Sequence, residues 1–213
     1  MSIKRLANAS ITGSGGKSSK LWDQTTTMGT YESIATAVVD AAGASSITFS
    51  NIPQNYQHLQ LRMTARSDRA TYAHDNFRIV VGNGSIDNGS NYSWHSLQSE
   101  YVSGYTNVYS YSGTTATSMN LIGTLSSTTG NGEFAGGIID FLDYTNTNKF
   151  KTVRALSGAD NNGATAGYIT FVTFGSGLWQ STSAVNTISL QPSGGGSNFT
   201  QYSTAALYGI RGA

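Results

Sequence analysis

The chain has 213 residues, 38% of them hydrophobic and only 11% charged, with 12 Lys and Arg against 11 Asp and Glu and no Cys. The length suits one large β-domain, and the charge fraction is well under the roughly one quarter usual in globular chains, so solvation rests on Ser, Thr, Asn and Gln. A net charge of +1 excludes a global field that draws the protein to nucleic acid or anionic lipid, and zero Cys excludes disulfides, thiolate metal sites and a cysteine nucleophile.

No apolar run is long enough to cross a bilayer, so membrane insertion is not expected. The first 20 residues, MSIKRLANASITGSGGKSSK, are basic but lack the apolar core of a signal peptide. Synthesis in a cytoplasm without export is the expectation.

Residues 1–30 read as an extended docking arm, set apart from a body at 31–213. The arm is small, polar and basic, with Lys4 and Arg5 near its start and few apolar anchors. Such a segment buries too little surface to order itself. Leu21 and Trp22 form its anchor pair, since Trp is enriched at interface hot spots. Gly13-Ser14-Gly15-Gly16-Lys17-Ser18 ends like a phosphate-binding loop, but Ile11 stands where that pattern needs Gly. Nucleotide binding is rejected.

From Tyr31 the chain becomes a succession of short strands. Ile34 to Val39 alternates weakly, and Ile47, Phe49 and Ile52 form a second strand before Pro53. Leu59, Leu61, Met63 and Ala65 alternate with Gln60, Arg62, Thr64 and Arg66, the clearest period of two in the chain. Phe77, Ile79 and Val81 continue the pattern up to Gly82-Asn83-Gly84. Asn91 to Leu125 is expected to contribute a long middle loop, aromatic and polar together, regaining core character at Met119, Leu121 and Ile122.

Gly137 to Gly158 reads as a central hairpin. Ile138, Ile139, Phe141 and Leu142 make one buried run, and Asp143 to Asn148 supplies turn chemistry. Phe150, Thr152, Arg154 and Leu156 fall on one face of the return strand, with Lys151, Val153 and Ala155 on the other. Tyr168 to Phe174 follows, then a break at Gly175-Ser176-Gly177, a strand through Val185, Ile188 and Leu190, and a last strand over Ala205 to Ile210. In that last strand either Ala205 and Leu207 or Ala206, Tyr208 and Ile210 face inward. Regularly spaced strands with Gly and Asn turns predict an all-β fold, an antiparallel jelly-roll-like β-sandwich.

Chemistry is sparse in this sequence. His58, His74 and His95 have no partner at metal-site spacing, so no metal and no cofactor are expected. His58 is placed on a polar strand face and His74 in a loop. Asp140 and Asp143 flank the hairpin turn as a carboxylate pair would, but turn capping accounts for Asp143. No Gly-x-Ser-x-Gly elbow occurs, and a non-enzymatic protein is expected. Tyr92, Trp94, Tyr105 and Tyr109 in the middle section admit two readings. They are core or interface aromatics, or they form a binding face on which sugar rings stack.

Several strings resemble a family of virion proteins in tailed phages, especially those of marine bacteria and cyanobacteria. These are Ser46-Ile47-Thr48-Phe49-Ser50-Asn51-Ile52-Pro53 with Tyr56 and His58-Leu59-Gln60-Leu61-Arg62, and Asn91-Tyr92-Ser93-Trp94-His95. Asp143-Tyr144 with Asn146-Thr147-Asn148-Lys149, Gly177-Leu178-Trp179 and the closing Gln201 to Ile210 add to them. The likeness runs from about Leu21 to Gly212. It implies a non-enzymatic structural protein of the virion, on a tail fibre, tail appendage or capsid surface, made in the host cytoplasm. The expected partners are other virion proteins and further copies of the chain in a symmetric homo-oligomer, a trimer. Particle docking falls to Leu21, Trp22, Lys4 and Arg5. The alternative is a host-adhesion module in which Tyr92, Trp94, Tyr105 and Tyr109 bind a host-surface glycan.

Overall fold

The computed structural model describes residues 30–102, 104–129, 132–161, 169–194 and 197–211, together with the backbone of Thr12–Gly13 and Lys17–Ser18. The proposed docking residues Lys4, Arg5, Leu21 and Trp22 lie outside the described residues. The elements are β1 (Thr12–Gly13), β2 (Lys17–Ser18), β3 (Tyr31–Val38), β4 (Ile47–Phe49), β5 (His58–Ala65), β6 (His74–Asn83), β7 (Ser85–Ile86) and β8 (Tyr92–Val102). They continue with β9 (Tyr105–Ala116), β10 (Met119–Leu125), β11 (Ala135–Leu142), β12 (Lys151–Ala159), β13 (Ile169–Trp179), β14 (Thr187–Pro192) and β15 (Thr204–Ile210).

Two antiparallel sheets pack into a jelly-roll-like sandwich. The larger has eight strands in the order β3-β15-β5-β11-β12-β13-β8-β9. The smaller runs β10-β6-β14-β4, with β7 paired to β6. Between β5 and β15 the chain crosses repeatedly from one sheet to the other, so strands distant in sequence become neighbours: β15 lies between β3 and β5.

Period-two patterning chooses the inner face. In β5, Leu59, Leu61, Met63 and Ala65 point inward, and Leu59 and Leu61 are fully buried. In β15 the two possible faces are resolved, because Ala205 and Leu207 are inside. The core joins these to Phe77, Ile79 and Val81 of β6, Met119, Leu121 and Ile122 of β10, and Ile188 and Leu190 of β14. Each fully buried Leu, Ile or Phe contributes about 1.5–3 kcal/mol relative to exposure.

Four expectations change. The middle section is three strands, β8, β9 and β10, because β8 carries its own alternation: Tyr92, Ser96 and Gln98 are buried while His95, Leu97 and Ser99 are exposed. A polar inner face hid this from a reading based on hydrophobicity. The Gly175-Ser176-Gly177 break is likewise continuous strand. A Cβ on Gly175 would stand 2.7 Å from the Leu121 carbonyl oxygen, and one on Gly177 would stand 2.5 Å from the Met119 sulfur. These glycines let β10 lie close over β13. His74, expected in a loop, opens β6, and Phe150 sits in the turn before β12.

The hairpin turn after β11 is fixed from inside. Tyr144 is fully buried and bonds the Pro53 carbonyl. Lys151, 1% exposed, donates to the carbonyls of Asn146, Lys149 and Thr182 at 2.6, 2.9 and 3.1 Å. Three ammonium protons thus meet two carbonyls of the turn and one of the segment between β13 and β14. Burial, with Lys149 nearby, holds the Lys151 amine below its ordinary value.

Candidate interaction surface

The outer face of the eight-stranded sheet is unlike the usual solvated face of an antiparallel sheet, where polar side chains alternate outward. Register aligns Leu97, Phe174, Leu156 and Ile138 side by side on β8, β13, β12 and β11. Their exposures are 51%, 57%, 43% and 37%, and Val172 beside them is 44% exposed. Strands stand about 4.8 Å apart, so this row is a continuous apolar stripe about 14 Å across. Contiguous apolar patches mark interaction surfaces, whereas single exposed residues do not.

The stripe floors a shallow groove of about 670 Å³ lined by His95, Leu97, Asp140, Arg154, Leu156 and Phe174. A second groove of about 600 Å³ continues past Ile138 and Leu156 over Gly136, Gly137 and Gly158. Gly136 and Gly158 are cross-strand partners, so the floor there is bare backbone.

One rim of the stripe is polar. Asp140 accepts a hydrogen bond from Gln60 Nε2 at 2.9 Å and lies 3.8 Å from Arg154 Nη2. Arg154 is 63% exposed, so this pair adds at most about 1 kcal/mol. Gln60 also accepts from Tyr31 and from Arg62 Nε, at 2.9 and 3.0 Å. Tyr31 stacks on Tyr208 with centroids 4.7 Å apart, and the Arg62 guanidinium stands 5.5 Å from the Tyr31 ring. The result is an apolar stripe bordered by a fixed hydrogen-bonded rim, an arrangement suited to recognition by shape and apolar contact.

The four aromatics proposed for glycan binding are not brought together. Tyr92 is fully buried: its hydroxyl meets the carbonyls of Val81 and Asp87 at 3.0 and 2.8 Å and accepts from the Val81 N–H at 3.2 Å. Burial pushes that phenol up to about 12. Trp94 packs partly buried against the core beside Gly113. Tyr105 is 74% exposed at the opposite end of the β8–β9 pair, where it faces Val102. Tyr109 alone has an aromatic companion, stacking on Tyr111 with centroids 5.8 Å apart. Partial burial and the Glu100 carboxylate raise both hydroxyls.

Asp140 and Asp143 part company as well. Asp140 lies on the outer face, whereas Asp143, at φ 46°, is held in the turn by Lys149 and Gln57. His58 Nδ1 accepts the Asp143 backbone N–H at 2.9 Å. Among the described residues no three His, Cys, Asp or Glu side chains are grouped to hold a metal ion.

Sequence reading missed Leu97, Ile138, Leu156 and Phe174 as a set. One signal was present: Phe171-Val172-Thr173-Phe174 is apolar on both of its faces, as expected for a strand covered on both sides. Comparison with protein-family models, with curated proteins and with solved structures returned no match.

Proposed function

We propose that the protein is a non-enzymatic structural component of a phage virion, a tail appendage or capsid-surface protein. In this reading it docks through its N-terminal arm and meets other virion proteins across the open face of its large sheet. The contact surface rests on one observation, the aligned row of Leu97, Phe174, Leu156 and Ile138 on four neighbouring strands. Burying that row stabilises a complex by removing large apolar side chains from water. Support for the virion setting comes from the resemblance of the quoted strings between Leu21 and Gly212.

The test is recovery of the chain from gradient-purified particles by mass spectrometry, with the double variant Leu21→Ala/Trp22→Ala alongside. The expected result is wild-type protein in the particles and a folded double variant left in the free fraction. Wild-type protein found only in the free fraction overturns the assignment. A double variant that incorporates normally removes the arm from docking.

A second reading, a glycan-binding adhesion module, is favoured by the stacked Tyr109 and Tyr111 beside Glu100. Aromatic faces stack on sugar rings, and a carboxylate accepts from sugar hydroxyls. Binding to immobilised glycans that is lost in Tyr109→Ala/Tyr111→Ala supports it. Binding unchanged in that variant excludes the site.

A further inference from the structure

Every sheet needs its edges managed, because an edge strand presents a row of unpaired N–H and C=O groups. Among the described residues the large sheet ends in β3 on one side and β9 on the other. The β3 edge carries Glu32, whose carboxylate is engaged by Tyr56 and Arg211 at 2.7 and 3.2 Å, and its pairing with β15 is interrupted by a register shift. β9 is different. It runs 12 residues and pairs with β8 in unbroken register from Tyr105 to Gly113. The sequence holds no Lys, Arg, Asp, Glu or Pro anywhere between Glu100 and Glu133. Charge and proline are thus missing from this stretch, and the one register shift of the β8–β9 pair lies past Gly113, which leaves Tyr105–Gly113 without the usual devices that keep edges apart. In the free chain water meets the outward backbone groups of such an edge, and a further β-strand meets them in register while also covering the side chains.

We infer that β9 is a self-association edge: two copies of the chain pair antiparallel through their β9 strands, about a two-fold axis at Tyr109, and join their large sheets into one. Self-complementarity of the strand argues for a second copy as the occupant. With Tyr109 opposite its own counterpart, Val108 meets Ser110, Asn107 meets Tyr111, Thr106 meets Ser112 and Tyr105 meets Gly113. No charge opposes a charge in that register, a tyrosine covers the glycine, and β-branched side chains pair with small hydroxyls. Val108, 64% exposed, lies on the same outer face as Leu97, so pairing brings the two apolar stripes toward one another. An isologous contact closes as a dimer rather than the trimer expected from the sequence. This inference does not depend on the virion assignment.

The experiment is the solution mass of the full-length chain by light scattering, for wild type, Tyr109→Lys and Tyr109→Glu, and for the two variants mixed. Circular dichroism checks that each variant is folded, and the pair Val108→Lys and Val108→Glu replaces the Tyr109 pair if either member is not. The expected result is a dimer for wild type, monomers for each charged variant because like charges meet across the axis, and a dimer again in the mixture. A monomeric or trimeric wild type overturns the inference, as does a charged variant that remains dimeric or a mixture that stays monomeric.

Discussion

Trp179 donates its indole N–H to the Asp87 carboxylate at 2.8 Å, tying the end of β13 to the loop that precedes β8. The same carboxylate accepts from the Asn91 side chain at 2.9 Å and the Gly89 N–H at 2.8 Å. The Tyr92 hydroxyl lies 2.8 Å from the Asp87 carbonyl oxygen. Asp87 is therefore the knot that holds one end of the two sheets together. Hydrogen bonds to charged groups contribute about 1.5–3 kcal/mol each. Trp179→Phe should lower stability by at least that amount in urea denaturation, with lost ring area adding to it.

Acid should loosen this knot. Burial pushes the Asp87 carboxyl up, but hydrogen bonds from Trp179, Asn91 and Gly89 outweigh it and hold the group below its ordinary 3.8. Asp143 is lowered too, chiefly by its hydrogen bond from Lys149. A carboxyl whose value falls on folding binds more protons unfolded than folded, so it stabilises the fold above about pH 4 and loses that contribution as pH falls through the folded value. Urea midpoints between pH 7 and 3 should drop on the acid side, and Asp87→Ala should make that drop shallower.

Tyr92 separates core from surface roles. Tyr92→Phe removes one hydroxyl that accepts from the Val81 N–H and donates to a facing carbonyl. The groups left behind are buried, so the cost should be about 1–3 kcal/mol. Any glycan binding should be unchanged, because this residue has no exposed surface. A measured loss of binding with full stability would place Tyr92 in a site instead.

Lys151 is a charged residue placed for structure. Lys151→Met keeps the length of the side chain and leaves the carbonyls of Asn146, Lys149 and Thr182 without their donor. Leaving buried acceptors unpaired costs about 1–3 kcal/mol for each group that water cannot reach. Thermal unfolding should show the drop, and faster amide exchange at 143–150 should locate it.

Sheet spacing is set by glycine at Gly175. An alanine there puts a methyl group 2.7 Å from the Leu121 carbonyl oxygen, and backbone on that side has no rotamer to yield. Overpacking of this kind costs about 1–3 kcal/mol. Gly136→Ala, whose Cβ meets open space on the same sheet, should be close to neutral.

The strands legible in the sequence are those whose inner face is apolar and outer face polar. β5 declares itself because Leu59, Leu61, Met63 and Ala65 alternate with Gln60, Arg62 and Thr64. β8 does not, since Ser96 and Gln98 occupy its inner face, and Gln98 is satisfied there by Thr173 at 3.3 Å. Polar residues that bond one another inside a sandwich look like a loop until the partner strand is known. The glycines of β13 misled for a related reason: Gly at 175 and 177 signals close approach as readily as a turn, and only the position of β10 decides between them. The stripe was illegible because its four members lie on four strands, 77 residues apart from Leu97 to Phe174, and register alone brings them into line.

The central proposal is that the chain belongs to a virion and that the stripe on its outer face is covered there. Hydroxyl-radical footprinting of the free chain and of the chain within purified particles reads the exposure of these side chains directly. The account predicts that Leu97, Leu156 and Phe174 are oxidised in the free chain and protected in the particle, while Tyr202, 69% exposed in the turn before β15, reacts in both. Equal oxidation of the three stripe residues in the two states would contradict it.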